Sequence, residues 1–167
     1  SDKIPYISAS YSEHLVFDKA PYNFIGATTY SDQARLALQW IKDNWKDKSR
    51  APRVALIYND TGFGRSPIQD AEDFAKKIGV TIVDKEIVAL QALDATTQLL
   101  NMKDKNPDFA INQHTLMATS TILKDAKKLG LKNKFIGLNW AFSEKLIEIA
   151  GDASEGFMAP MPFAFMP

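Results

Sequence analysis

Cysteine is absent from this sequence of 167 residues, and the absence excludes several kinds of site. Without a thiol the chain can form no disulfide bond, no thiolate nucleophile and no cysteine-ligated zinc site. Histidine is represented only by His14 and His114. Because His114 has no histidine or acidic companion at the spacing of a metal site, we expect the protein to hold neither a metal ion nor a cofactor.

An excess of charge of either sign is also absent, since 20 lysine and arginine residues balance 20 aspartate and glutamate residues. Proteins that bind nucleic acid usually carry a basic surface, and no stripe of positive charge is present here, so no nucleic-acid partner is predicted. The lysine-rich stretches Lys42–Lys48 and Lys124–Lys134 are interrupted by acidic or apolar residues, which is typical of solvated helix faces and turns. The sequence also lacks a run of about 18 apolar residues, so no segment is predicted to span a membrane.

The common enzyme motifs are missing as well. The sequence contains neither the nucleotide-binding pattern G-x-x-x-x-G-K-S/T nor the hydrolase pattern G-x-S-x-G. Gly62 and Gly64, with Asp84 further along, partly match the dinucleotide-binding fingerprint, but Pro67 stands where the third glycine belongs. We therefore expect no catalytic residues, and a Rossmann-type nucleotide-dependent enzyme remains the less favoured alternative.

Short β-branched or aromatic runs alternate with helical patterns along the chain. The run Arg53–Tyr58 is apolar without alternation, which predicts a strand buried on both faces. The predicted strands are Pro5–Ser8, Tyr22–Ile25, Arg53–Tyr58, Val80–Val88, Phe109–Ile111, Phe135–Leu138 and Phe157–Ala159.

Helices are predicted between these strands from apolar periodicity and from residues typical of helix ends. Ser66, Pro67 and Gln69 form a predicted capping box that begins a helix, and Gly79 ends that helix. The other predicted helices run from Ser31 to Trp45, from an Asp94 cap to Met102, through Ile122, Ala126 and Leu129 to Gly130, and from a Ser143 cap with Leu146, Ile147 and Ala150 facing inward.

This order of elements predicts an α/β fold with three layers, namely a mostly parallel open sheet with helices on both faces. Residues 1–167 are expected to form a single α/β lobe. The apolar run at residues 161–167 indicates that the chain is a domain of a larger protein.

Ligands of open α/β sheets bind beyond the carboxyl ends of the strands. That rule selects the segments Ser8–Ser12, Asn59–Gly64, Asn112–Thr115 and Asn139–Trp140. Each segment also has a structural interpretation without a ligand. Ser10 and Ser12 could cap a short helix, the two glycines could serve a turn with positive φ, and Asn139–Trp140 could be a turn with a buried ring.

Several runs, taken in order, resemble those of a known family. They are Ile4–Ser12, Arg53–Asp60 followed by Gly62-Phe63-Gly64, Asn106-Pro107-Asp108, Phe135–Gly137 and Ala150–Gly156. Together they resemble the type 1 periplasmic binding proteins of the branched-chain amino acid transport family.

The resemblance implies a protein of two α/β lobes joined by a hinge, of which this chain is the second lobe. It further implies a small-molecule solute bound between the lobes, a missing first lobe of the same protein, and an ABC transporter permease as partner. The expected location is the periplasm, or the cell surface in a bacterium with a single membrane. A sensor domain of the same fold in a signalling receptor is the alternative.

Site residues follow from the resemblance position by position. Ser10 and Ser12, with the backbone around Tyr11, would hold the carboxylate of the solute, and Phe63 would lie over it. Gln113, His114 and Thr115 would form a further contact loop. The family's acidic partner of the ligand ammonium falls on Asn139, where this sequence departs from the pattern. Asn139 can still accept a hydrogen bond, and Trp140 beside it could provide a cation–π or stacking face. The departure favours a small carboxylate, amide or aromatic acid as the solute, with an amino acid as the next candidate.

Overall fold

A four-stranded parallel sheet lies at the centre of the part of the chain that this computed structural model describes, residues 3–16 and 21–162. In chain order the strands are β1 (Tyr6–Ser8), β2 (Asn23–Ile25), β3 (Arg53–Tyr58), β4 (Thr81–Ile87), β5 (Phe109–Gln113) and β6 (Lys134–Gly137). The central sheet has the order β4-β3-β5-β6, whereas β1 and β2 pair in a separate parallel sheet.

The predicted central strand has the bounds that its apolar run indicated. Every residue from Val54 to Tyr58 is buried, because β3 has a neighbour on each side and helices above and below. Its partner β5 runs in register from the pair Val54–Phe109 to the pair Tyr58–Gln113. The carboxyl ends of the two strands therefore lie at the same edge of the sheet.

Helices cover both faces of the central sheet, as predicted. They are α1 (Tyr30–Asn44), α2 (Gly62–Arg65), α3 (Ile68–Ile78), α4 (Thr96–Asp104), α5 (Leu116–Lys128) and α6 (Lys145–Ala150). One apolar core joins α1 and α3 to alternate residues of the strands, and a second core joins α4, α5 and α6 to the remaining ones. The result is the three-layer arrangement expected of a parallel sheet.

Several helix ends follow from local chemistry. The Thr29 hydroxyl accepts a hydrogen bond from the Asp32 backbone N–H at 3.1 Å, which caps α1. Gly79 ends α3 at a φ of 72°, a conformation that favours glycine. The Asp94 carboxylate accepts from the Thr96 N–H at 3.1 Å, but Ala95 occupies the N-cap position of α4, so the predicted Asp94 cap lies one residue too early.

The capping box predicted at Ser66 is wrong. Thr61, whose hydroxyl accepts from the Gly64 backbone N–H at 3.3 Å, already turns the chain into α2. Ser66 therefore has a helical backbone conformation, and its buried hydroxyl has no hydrogen-bond partner among the described residues. Gln69 donates instead to the Asp73 carboxylate at 3.2 Å.

Two further expectations fail near the end of the described chain. Ile147 is 67% exposed rather than inward-facing, because the short helix α6 buries only Leu146 and Ala150. The predicted strand Phe157–Ala159 is reduced to a single bridge between Met158 and Ile136. Most of the apolar run that ends the sequence, residues 163–167, lies outside the described residues.

The small β1–β2 sheet leaves apolar side chains in solvent. Two paired strands cannot form a core by themselves. The large apolar residues exposed in this part of the chain are Ile4, Tyr6, Ile7, Tyr22 and Phe24.

Among the described helices, none is both long and apolar enough to cross a membrane.

The turn after β3 depends on the absence of a side chain at Gly64. A Cβ atom at this position would lie 2.0 Å from the Asn59 carbonyl oxygen, whereas a Cβ at Gly62 would meet no atom within 4 Å. Neither glycine has a positive φ, so the interpretation that positive φ explains them is wrong. The backbone of Asn59 approaches position 64 so closely that only glycine fits there.

We predict that Gly64→Ala destabilises the protein by roughly 1–3 kcal/mol, because the backbone has to move to admit the methyl group. Gly62→Ala is the matched control and is expected to change stability by less than about 0.5 kcal/mol. The measurement is urea unfolding followed by circular dichroism. Equal effects of the two substitutions would contradict the steric explanation.

Candidate ligand-binding edge

The loops that follow β3 and β5 are joined by hydrogen bonds at the carboxyl edge of the sheet. The Asn59 side-chain amide donates to the Gln113 carbonyl at 3.3 Å, and the Gln113 side-chain amide donates to the Phe63 carbonyl at 3.0 Å. Phe63 is therefore fixed relative to the end of β5. Two of the segments predicted from the sequence thus form one continuous surface.

Tyr30, the first residue of α1, is the residue that the sequence interpretation missed. Its ring centroid lies 5.8 Å from that of Tyr11 and 5.2 Å from that of Phe63. Its hydroxyl oxygen accepts a hydrogen bond from the indole N–H of Trp140 at 2.8 Å. Three predicted site residues, Tyr11, Phe63 and Trp140, are brought together through Tyr30. The sequence did contain one signal for Tyr30, which directly follows the threonine that caps α1. A helix that begins at this edge places its first residue near these loops.

Trp140 lies at this edge as a half-exposed ring. It stacks on Tyr11 with the ring centroids 6.0 Å apart and an angle of 24° between the planes. Its exposed fraction is 44%, so the interpretation as a buried ring is wrong.

Ser10 and Ser12 have their hydroxyl oxygens 3.1 Å apart, at hydrogen-bond distance. Ser12 is buried and precedes a short 3-10 turn at Glu13–Leu15, yet its side chain caps no backbone group there. The interpretation of Ser12 as a helix cap is therefore wrong. The carboxylate-binding role that the resemblance implies for Ser10 and Ser12 stays a prediction.

The predicted contact loop at residues 113–115 is divided between surface and interior. Gln113 and His114 are buried, and Thr115 is the member of the loop that reaches the surface. In this structure Gln113 and His114 thus lie beneath the edge and support it. The Gln113 side-chain oxygen and both ring nitrogens of His114 have no hydrogen-bond partner among the described residues.

Burial controls the ionisation of His114. Desolvation is the main cause and lowers the pKa of His114 to about 4. The nearby polar backbone of Tyr58 raises the pKa, but it offsets only part of this shift. The imidazole is therefore neutral at neutral pH.

Asn139 is held through its backbone. Its N–H donates to the side-chain oxygen of Gln33 at 2.9 Å, and Gln33 in turn donates to the Thr28 carbonyl at 2.9 Å. The Asn139 side-chain oxygen is buried and has no hydrogen-bond partner among the described residues. This residue joins the end of β6 to α1.

The electrostatic surroundings of the edge are close to neutral. Glu13 pairs with Arg35 at 3.4 Å, and Arg35 also contacts Asp32 at 2.8 Å. Burial by itself would lower the pKa of Arg35, but these carboxylates outweigh it and raise the pKa above its usual value. Asp60 pairs with Arg65, whose guanidinium lowers the pKa of that carboxyl.

The loops at residues 112–116 and 138–142 contain no ionisable side chain apart from His114. Within residues 3–16 and 21–162 no three histidine, cysteine or acidic side chains are grouped to hold a metal ion. The edge offers hydroxyl groups, amides and aromatic rings, which can bind a molecule but form no pair of nucleophile and base.

A concavity of about 660 Å³ lies at the opposite, amino-terminal edge of the sheet, and its lining includes Trp45, Lys103, Asp108 and Lys132. It shares no residue with the loops described above. Asp108 in this concavity is committed to structure, since Arg50 donates two hydrogen bonds of 2.7 Å to its carboxylate.

We predict that the stability of the protein falls between neutral and mildly acidic pH because of His114. The unfolded histidine binds a proton near its ordinary pKa of 6.5, whereas the folded one does so only near 4, so acid favours the unfolded state in that window. The expected loss is about 2 kcal/mol between pH 7 and pH 5.

His114→Leu should flatten the stability profile over this range, and urea unfolding at several pH values measures it. An unchanged slope in the His114 variant would contradict the assignment.

Comparisons with known proteins agree with the resemblance seen in the residues. A family model described as periplasmic binding protein matches residues 1–166. The Leu/Ile/Val-binding protein of Citrobacter freundii is 27% identical over 143 residues, which cover 84% of this chain and 38% of that protein.

Solved structures extend the similarity. A branched-chain amino acid ABC transporter protein from Thermus thermophilus, solved with bound valine, gives a TM-score of 0.87 at 34% identity and covers 94% of this chain and 40% of its own. A substrate-binding protein of an ABC transporter from Aeropyrum pernix gives 0.88 at 28% identity, covering 98% and 42%. The chain thus spans well under half the length of these relatives.

The match to the family model covers nearly the whole chain, and the fold agrees with it. The family is one of binding proteins, so the expectation of a non-enzymatic protein is confirmed at the level of the family. The chain belongs to the periplasmic binding protein family.

Proposed function

We propose that this chain is the second lobe of the substrate-binding component of an ABC transporter. The carboxyl edge of its central sheet forms one half of a pocket for a small solute. The observation that carries the proposal is the convergence of four loops at this edge, with Tyr30 joining Tyr11, Phe63 and Trp140. Loops at the ends of parallel strands are where this class of fold binds ligands.

The first lobe of the same protein supplies the other half of the pocket in this proposal. The exposed apolar side chains of β1 and β2 support it, because a second lobe packed there would remove them from water. The length of the relatives leaves room for such a lobe, since this chain covers 38% of the Citrobacter protein. Closure of the two lobes around the solute would then follow the hinge motion known for two-lobed receptors.

The remaining partner in the proposal is the membrane permease of the transporter. The Thermus and Aeropyrum structures are described as ABC transporter proteins, which supports this assignment. The protein would act in the periplasm, or at the cell surface in a bacterium with a single membrane.

The solute in this proposal presents no ammonium group to Asn139. An ammonium removed from water needs a carboxylate partner. Glu13 and Asp60, which lie close in sequence to Tyr11 and Phe63, are already ion-paired, and an amide stands at Asn139. A small carboxylate, amide or aromatic acid suits this surface better than an α-amino acid.

We predict that the isolated 167-residue chain binds solute much more weakly than the full-length protein. Half of the pocket and the free energy of lobe closure are missing from it. Isothermal titration calorimetry with the metabolite that co-purifies with the full-length protein measures the difference, which we expect to exceed a hundredfold, or about 2.7 kcal/mol. Equal affinities, or micromolar affinity of the isolated chain, would contradict a pocket shared between two lobes.

A second prediction concerns the charge of the solute. In thermal-shift assays of the full-length protein, isovalerate and hydrocinnamate should raise the melting temperature more than valine and phenylalanine, which differ from them by an ammonium group. Each pair keeps its carbon skeleton, so the comparison isolates the ammonium. If valine or leucine alone stabilises the protein, the interpretation of Asn139 is wrong.

A further inference from the structure

The exposed part of Trp140 is the feature of the edge that the proposed function leaves without a role. Trp140 follows β6 directly, and 44% of its surface is exposed. A large aromatic ring contributes free energy when it is covered, and here it stands in solvent beside the predicted pocket.

The orientation of the indole is fixed by two contacts from different elements. Its N–H donates to the hydroxyl oxygen of Tyr30 at 2.8 Å, and one ring face stacks on Tyr11 with centroids 6.0 Å apart. Tyr30 is itself buried and belongs to α1, so it provides a rigid support. The exposed surface therefore belongs to the other face and the outer edge of the ring.

The chemistry of that exposed surface is restricted. The only polar group of the indole already donates to Tyr30, so the ring offers a solute no hydrogen bond. Among the described residues, the carboxylates of Glu13 and Asp60 are paired with arginines, so neither of these two is free beside the ring to hold a cation. What remains is a neutral π surface, which is best covered by another planar ring in offset stacking.

We propose that the solute of this site carries an aromatic ring that stacks on the exposed face of Trp140. This inference rests on the proposed function, because it requires the edge to be the solute site. It specifies the solute class further, to aromatic carboxylates and amides. The competing possibility, that the first lobe covers Trp140, is distinguished by the test.

The test compares aromatic probes with their saturated counterparts on the full-length protein that contains this chain. The pairs are benzoate with cyclohexanecarboxylate, hydrocinnamate with cyclohexanepropionate, and phenylalanine with cyclohexylalanine, and valine and isovalerate serve as aliphatic solutes. Thermal shift identifies the probes that bind, and calorimetry gives their Kd values. We expect an aromatic probe to bind about three to ten times more tightly than its saturated counterpart.

Two variants locate this preference. Trp140→Leu keeps an apolar side chain without a π face and should abolish the preference, whereas Trp140→Phe keeps a ring and should retain part of it. Circular dichroism and the melting temperature without solute confirm that each variant is folded. Trp140→Phe keeps the test decisive if the leucine variant fails to fold.

The outcomes distinguish the stacking proposal from the proposed function of the chain. Binding of aliphatic solutes with no preference for aromatic ones overturns the stacking proposal and leaves the proposed function intact. A preference that persists in Trp140→Leu places the ring elsewhere, and a preference lost equally in both variants shows that ring stacking at this position is not its source. Either outcome overturns the stacking proposal. If none of the probes binds and no metabolite co-purifies, the proposed function fails together with the inference.

Discussion

The common direction of β3, β5 and β6 is the constraint on which the other features of this lobe depend. Because these strands are parallel and paired in register, their carboxyl ends meet at one edge, and every loop that leaves a strand there faces the same space. The pairing also buries β3 on both faces, which requires apolar side chains in two directions and divides the core between two layers of helices. The convergence of these loops is thus a consequence of strand direction.

The layers of the fold were predictable because burial determines residue type strongly in a parallel sheet. A continuous apolar run such as Arg53–Tyr58 has few alternatives in this setting, and glycine at Gly79 is a strong local signal for the end of a helix. The failures occurred where two local signals compete. Thr61 and Ser66 are both good helix caps, and the sequence does not show which one the tight turn beneath Gly64 selects.

The position of the candidate site was predictable from the sequence, but the burial of its individual side chains was not. Residue type and strand order indicated the loops that contain Phe63, Gln113 and Trp140, and the structure joins these loops. Residue type does not show which side chain of a loop is turned inward, and His114 is fully buried although it follows a strand end. Tyr30 was missed because its contacts come from three elements distant in sequence, and the threonine cap before it marks the start of α1 without indicating those contacts.

The stacking of Tyr11 on Trp140 is one of several contacts that join the segment after β1 to the rest of the described chain. Tyr11 belongs to the segment between β1 and β2, whereas Trp140 extends from the central sheet. Any rotation of the small sheet relative to the large one has to slide the phenol ring across the indole and strain the hydrogen bond from the Tyr30 N–H to the Tyr11 carbonyl. A shift of β1 and β2 against the central sheet would therefore change the position of Tyr11 on Trp140, and the ring pair resists it together with the contact between Tyr11 and Tyr30 and the ion pair of Glu13 with Arg35.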